Sequence, residues 1–232
     1  MNDLSKSDAN DTLDLVSIFF SSTDELSLEA GITQLQKLIS FDASNLTFID
    51  INNFIVNPDK HKYQFNYRVP KAFRDLYFEK AYYRIDVQVQ AFLKTHKLYN
   101  YSDALVEFNN NEPTILDIES SAWKFPDGWI HGICDYKKIN KYIIANFFGE
   151  KIENNHRTKT ILNYIVPHLC VSYQRILKET KNKKSTLTKR ELEMIQWLKD
   201  GKTSWEISQI LCISERSVIF HVENLKKKIR CG

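Results

Sequence analysis

Apolar residues recur along this chain with two periods, and the places where the period changes mark its elements. From Leu13 to Phe20 and from Leu26 to Ile39 they fall three and four apart, the spacing of a single helix face. The segments Leu46 to Ile51, Tyr63 to Tyr67, Ile130 to Cys134 and Tyr142 to Phe148 are short and rich in β-branched and aromatic residues, which predicts strands. Pro70 can open a helix at its first position, where its missing N–H needs no partner, and it holds Val69 extended before it. Helical spacing returns from Ile161 to Leu177. Helices before, between and after short strands predict an α+β chain. The expectation is an α-β-α sandwich with a mostly antiparallel sheet over residues 1–177, able to enclose a small molecule between sheet and helices. Residues 178–186 are charged and lack apolar positions, so they are predicted to be a linker.

After the linker, residues 187–232 read as an all-α unit whose boundaries have chemical causes. Thr188-x-x-Glu191 is a capping box in which hydroxyl and carboxylate each satisfy an otherwise orphan backbone N–H. Leu192, Ile195 and Leu198 follow at helical spacing, and Gly201 stands where a left-handed C-cap belongs. A second box, Thr203-x-x-Glu206, opens a short helix with Ile207, Ile210 and Leu211 on one face. After the turn at Cys212-Ile213, Ser214 can cap a third helix, with Glu215 at the positive end of its dipole. A short helix, a tight turn and a second helix form a helix-turn-helix, which docks on double-stranded DNA. Val218, Val222, Leu225 and Ile229 make the inward stripe of the last helix. The DNA-facing candidates are Arg216, Ser217, Ile219, Phe220, Glu223, Asn224, Lys227 and Lys228, and His221 is expected at the edge of that face.

Charge sharpens this division. Of 32 Lys and Arg against 29 Asp and Glu, residues 178–232 hold 13 against 7, leaving a mildly acidic body and a basic end. Cys134, Cys170, Cys212 and Cys231 are too far apart for a zinc ribbon or a CxxC motif, and His131-x-x-Cys134 has no further ligands at matching spacing. No metal or cofactor is therefore expected. The polar, acidic start is not a signal peptide, and no apolar run approaches a membrane span, so a cytoplasmic protein without membrane contact is expected. None of the common catalytic fingerprints appears, and no enzymatic activity is expected.

The C-terminal residues resemble the DNA-binding domain of LuxR-type transcription regulators. The likeness is carried by Leu187-Thr188-x-Arg190-Glu191, Gly201-Lys202-Thr203, Glu206-Ile207, Leu211, Ile213-Ser214-Glu215, Val218-x-Phe220-His221-x-x-Asn224 and Lys228-Ile229. Upstream, Pro70-x-x-Phe73-x-x-x-Tyr77, Asp86-Val87, Tyr101 and Gly128-x-x-x-Gly132 resemble the acyl-homoserine-lactone-binding domain of the same family in spacing. Tyr77, Asp86 and Gly132 match its pattern, whereas Phe73 and Tyr101 replace tryptophans, Val87 a proline and Val69 a common tyrosine. The resemblance implies a ligand site built from Val69, Phe73, Tyr77, Asp86, Val87 and Tyr101. In the family, the tryptophan indole donates to the lactone carbonyl and the tyrosine hydroxyl to the acyl amide; Phe73 and Val69 can do neither. It also implies a homodimer, for which Ile165, Leu169 and Leu177 could supply an apolar seam. The family's reader domain normally continues into a fourth helix, and this chain stops three residues after Lys228-Ile229, so that helix is expected to be absent. The expectation is a regulator that senses a signal other than a standard acyl-homoserine lactone. Its rivals are a ligand-independent DNA binder and an interaction protein that forms inactive heterodimers with a relative.

Overall fold

The computed structural model of the protein describes residues 4–50, 64–134, 141–184 and 188–230; of residues 50, 181–184 and 226–230 it describes the backbone only. The predicted strand ends Ile51 and Tyr63 lie outside the described residues. In chain order the elements are α1 (Lys6–Ser21), α2 (Glu25–Leu38), β1 (Ala43–Asp50), β2 (Gln64–Tyr67), α3 (Lys71–Glu79), α4 (Val87–Thr95), β3 (Tyr99–Asn100) and α5 (Tyr101–Phe108). They continue with α6 (Ile115–Ala122), β4 (Gly128–Cys134), β5 (Lys141–Phe148), α7 (His156–Lys184), α8 (Lys189–Lys199), α9 (Ser204–Leu211) and α10 (Glu215–Arg230). Pro70 is the N-cap of α3 rather than its first helical residue. The chain divides into two compact units, residues 1–176 and 177–232, with the division inside α7. That helix runs on to Lys184, through most of the segment expected to be a linker.

The N-terminal unit is built on a five-stranded, fully antiparallel sheet in the order β2-β1-β5-β4-β3. Side chains alternate between its faces. One face carries Leu46, Phe65, Tyr67, Trp129 and Phe147 against α1, α2 and α7: Phe65 meets Tyr173 edge-on at 6.4 Å, and Tyr67 Oη donates to Gln36 at 3.0 Å. Arg157 on α7 clamps this layer, pairing with Asp8 at 2.6 Å and donating to the Leu38 carbonyl at 3.0 Å. The other face meets α3 to α6. There Ile130, Ile144, Tyr142 and Tyr99 pack with Val87, Val89, Ala91 and Phe92 of α4 and with Ala104 and Leu105 of α5. Gly132 fits because β5 passes so closely that a Cβ would stand 2.3 Å from the Ile143 carbonyl oxygen.

The proposed dimer seam is corrected by this packing. Ile165 and Leu169 are fully buried and Leu177 is 9% exposed, because that stripe of α7 is part of the protein's own core. The large apolar residues that α7 leaves exposed are Tyr164 and Val171.

The C-terminal unit forms as its caps require. Thr188 and Glu191, and again Thr203 and Glu206, exchange reciprocal side chain–backbone hydrogen bonds. Gly201 has φ +75 and ends α8, with Lys202 N–H reaching back to the Trp197 carbonyl at 3.0 Å. Met194, Ile207, Val218 and Leu225 form the core, with Ile195, Trp197, Leu211, Ile213 and Val222 around it. Three expected core positions lie outside it: Leu192 is 53% exposed, Leu198 39% and Ile210 43%. The inward face of α8 instead carries Glu191, Met194 and Ile195, the stripe that its packing with α9 and α10 selects.

Candidate nucleic-acid interface and ligand site

Helix α10 enters after a turn over residues 212–214 that is itself hydrogen-bonded. Cys212 takes the left-handed conformation, and Ile213 N–H donates to the Ser208 carbonyl at 3.1 Å. Ser214 Oγ then accepts from Ser217 N–H at 3.1 Å, as expected of a cap. Arg190 ties α8 to this turn by donating to the Leu211 carbonyl. With Val218 and Leu225 buried, the side of α10 that remains in solvent carries Arg216, Ile219, Phe220 and Glu223, all exposed, flanked by half-buried Ser217, His221 and Asn224. Phe220 is 61% exposed and its neighbour Ile219 45%, so two consecutive large apolar side chains stand on this side. The backbone of Lys227 and Lys228 continues the helix, and their side chains lie outside the described residues. Trp205, 59% exposed on the outer side of α9, is a surface aromatic that periodicity passes over because it breaks no pattern.

In the N-terminal unit the residues expected at a ligand site separate into three groups. Val69 and Phe73 pack with Ala43, Trp123, Phe125 and Phe148 in one apolar cluster. Val87 and Tyr101 belong to the larger cluster under α4 and α5. Tyr77 and Asp86 meet directly, with Tyr77 Oη donating to Asp86 Oδ2 at 2.8 Å. The other oxygen, Asp86 Oδ1, caps α4 by accepting from Val89 N–H at 3.1 Å. Asp86 is thus a capping residue, and its unused lone pairs determine what else it can accept.

Burial pushes the Asp86 carboxyl above the ordinary range, against the Val89 and Tyr77 hydrogen bonds that lower it, and nearby Asp117 adds to the rise. Burial likewise raises the Tyr77 and Tyr101 hydroxyls, reinforced by Asp86 at Tyr77 and by Asp117 at Tyr101. Both tyrosines therefore stay protonated donors at neutral pH. Tyr101 is set in place by the residue before it. Asn100 is fully buried, accepts from Ser102 N–H at 2.9 Å to cap α5, and donates to Asp127 and to the Gly128 carbonyl.

The sequence gives no sign of an indole that the fold packs against Phe73. Trp123, just after α6, stands beside Phe73 with ring centroids 5.9 Å apart. Only tertiary contact could reveal it, because fifty positions separate the two residues. Among the described residues, no group of three or more His, Cys, Asp or Glu side chains is arranged to hold a metal ion. No described helix is long and apolar enough to cross a membrane.

A capped short helix, a tight turn and a second helix with a polar outer side constitute a helix-turn-helix domain, here joined to a mixed α+β unit. Residues 185–232 match the family described as bacterial regulatory proteins, luxR family. The C-terminal unit is a LuxR-family DNA-binding domain, and the chain as a whole resembles LuxR-type regulators. It is 45% identical over 65 residues to the transcriptional activator protein LuxR of Aliivibrio fischeri, covering 28% of this chain and 26% of that one. It is 27% identical over 167 residues to the transcriptional activator protein BjaR1 of Bradyrhizobium diazoefficiens, covering 70% and 66%. The matched segments therefore span less than two thirds of each of these relatives' own length. The fold is that of Escherichia coli SdiA, with a TM-score of 0.53, 19% identity and coverage of 94% of this chain and 90% of that one.

Proposed function

We propose that this chain is a cytoplasmic transcription regulator: its C-terminal unit reads DNA as part of a homodimer, and its N-terminal unit senses a small molecule other than a standard acyl-homoserine lactone. The exposed face of α10, with Arg216, Ile219, Phe220 and Glu223 in solvent beside a fully capped turn, carries the reading. Arg216, Lys227 and Lys228 hold phosphates, with Ser217 and Asn224 beside them, while Ile219, Phe220 and Glu223 meet base edges. Glu223 can accept from a cytosine amino group, and Ile219 or Phe220 can touch a thymine methyl.

Glu223→Gln is expected to change which sequences bind best, whereas Lys227→Ala weakens all of them alike and lowers the salt slope by about 1. Fluorescence anisotropy on a panel of operators at several salt concentrations reads both effects. Equal losses on every DNA for both variants would remove this assignment.

The ligand reading is supported by Val69 and Phe73, which present carbon where the lactone receptors present donors, and by two protonated tyrosines on carboxylates, Tyr77 on Asp86 and Tyr101 on Asp117. A lactone left with an unpaired buried carbonyl forfeits roughly 1–3 kcal/mol for each such group. Asp86→Ala is expected to abolish the ligand response and to cost about 1 kcal/mol of stability through the lost α4 cap. Asp86→Asn keeps an oxygen for the cap but cannot accept through both ends of the group, so it should retain the stability and lose the response. Calorimetric titration with acyl-homoserine lactones and thermal scans of the three proteins test this. Tight, saturable lactone binding by the wild type would overturn the ligand reading.

A further inference from the structure

Asn66 on β2, Asn45 on β1 and Asn146 on β5 stand directly opposite one another, so three asparagines cross three neighbouring strands in a single row. By alternation they point to the face that meets α3 to α6, the face of Ala43, Phe148, Ile130 and Ile144. Thr47 and Gln64 occupy the next row on the same face. Asparagine is disfavoured in strands, and a row of them across a sheet centre costs stability that a Val or Ile row would not. Among the described residues, local hydrogen bonding accounts for only part of the row. Asn146 Nδ2 donates to Asn45 Oδ1 at 2.8 Å, but the enclosed Oδ1 of Asn66 has no hydrogen-bond partner among the described residues. Exchanging O and N in that carboxamide would put a donor in the same enclosed place, so a polar partner is needed either way.

Burial marks the row as a floor. The apolar residues on both sides, Ala43, Val69 and Phe73 on one and Ile130 and Ile144 on the other, are buried, while Asn45, Asn66, Asn146, Thr47 and Gln64 keep part of their surface open. On the helical side, Arg74 of α3 is half-buried with its Nε unpartnered among the described residues. Unsatisfied enclosed polar groups cost a free protein stability and are recovered when a ligand completes them.

Building on the proposed small-molecule sensing, we infer that the sensor's ligand is polar along its body, a hydroxylated or amide-bearing molecule lying on Asn45, Asn66 and Asn146, and not one that presents a bare alkyl chain to the sheet. The asparagine row selects against an alkyl chain because such a chain would cover the open parts of these carboxamides and leave the enclosed Asn66 oxygen unpaired.

Two six-carbon primary amides test this on the full-length protein: gluconamide, hydroxylated on every carbon of its chain, and hexanamide, which is bare. At equal millimolar concentration, gluconamide should raise the melting temperature of the sensor transition by about 2–4 °C and hexanamide by much less. Asn66→Leu should melt at or above the ligand-free wild type, since it removes an unsatisfied group, and should lose the gluconamide shift. Asn66→Ala serves if the leucine does not fit. A wild type that prefers hexanamide, or responds to neither amide, overturns the inference, as does a retained gluconamide shift in Asn66→Leu. DNA binding measured on the same preparation keeps the readings apart. An intact DNA reader with a hexanamide preference removes the polar floor alone, whereas a protein that binds no DNA removes the regulator reading.

Discussion

Val218→Asp is expected to abolish DNA binding while the N-terminal unit stays folded. Val218 is fully buried in a core whose other buried members are Met194, Ile207 and Leu225. A core of this size supplies about 3–5 kcal/mol at most. The desolvation of an ionised carboxylate placed there exceeds that margin. The N-terminal unit has its own core and its own sheet, so it should not follow. Circular dichroism of the full chain should show the loss of helix confined to a fraction matching α8 to α10, with the N-terminal unit's melting transition in place. Anisotropy should show at least a hundredfold loss of affinity for every DNA. Binding within threefold of wild type would show that α10 docks without the core that positions it. Val218→Ala, which leaves a small cavity and no charge, should cost only about 1–2 kcal/mol and reduce binding partially.

The second large effect is on pH stability. His131 lies on β4 just beyond the two-residue pairing with β3, and its ring meets Phe92 edge-on with centroids 6.3 Å apart. Burial lowers its pKa from 6.5 to about 4, and its Nδ1 has no partner among the described residues. The cleft it faces is lined by His96, Lys97, Leu98, Lys159 and Asn163, so no carboxylate stands among the lining residues to favour a charged ring. A folded-state pKa depressed below the unfolded value means that the unfolded chain takes up the proton first. The neutral ring's contribution to stability is thus complete above 6.5 and is lost as pH falls through about 4. That gap corresponds to ~3 kcal/mol, which the partial exposure of the ring reduces to about 2.

Urea unfolding at pH 7 and at pH 4.5 should show that loss in the wild type and a clearly smaller one in His131→Phe. Asp8 contributes in the same direction but in a lower window. Its hydrogen bond and ion pair with Arg157 depress its carboxyl below 3.8, so it does not mimic the histidine. Asp86 and Asp127, raised by burial, act in the opposite sense in both proteins and cancel in the comparison. Parallel pH profiles for wild type and His131→Phe would show that the ring titrates normally.

The C-terminal unit was legible in the sequence because its determinants are local. A capping box spans three residues, a C-cap glycine one, and a helical stripe repeats every three or four. Thr188 with Glu191, Thr203 with Glu206, Ser214 and Gly201 therefore stand in the fold where the sequence places them. Periodicity failed where it was asked for more than spacing. Leu192, Leu198 and Ile210 keep the helical period and are nonetheless exposed, since which stripe faces inward depends on how α8, α9 and α10 pack together. The same reason undid the dimer seam on α7: an amphipathic stripe announces that it will be buried, not against what, and Ile165 and Leu169 are buried in the protein's own core.

At the proposed ligand site the sequence offered Tyr77 and Asp86 as separate candidates, and the structure added their relation: a hydrogen bond that occupies one carboxylate oxygen while the other caps α4. Trp123 beside Phe73 and the row of Asn45, Asn66 and Asn146 had no signal in the chain. Asn45 and Asn146 lie a hundred positions apart, and each alone is an unremarkable polar residue in a strand. Local hydrogen bonding and periodicity thus determined from the sequence that this chain has strands, helices and a capped helix-turn-helix at its end. Strand register, the non-local pairing of β1 with β2 and β5, decided that three separate carboxamides share one floor, because side chains far apart in the chain become neighbours only when backbone ladders align them.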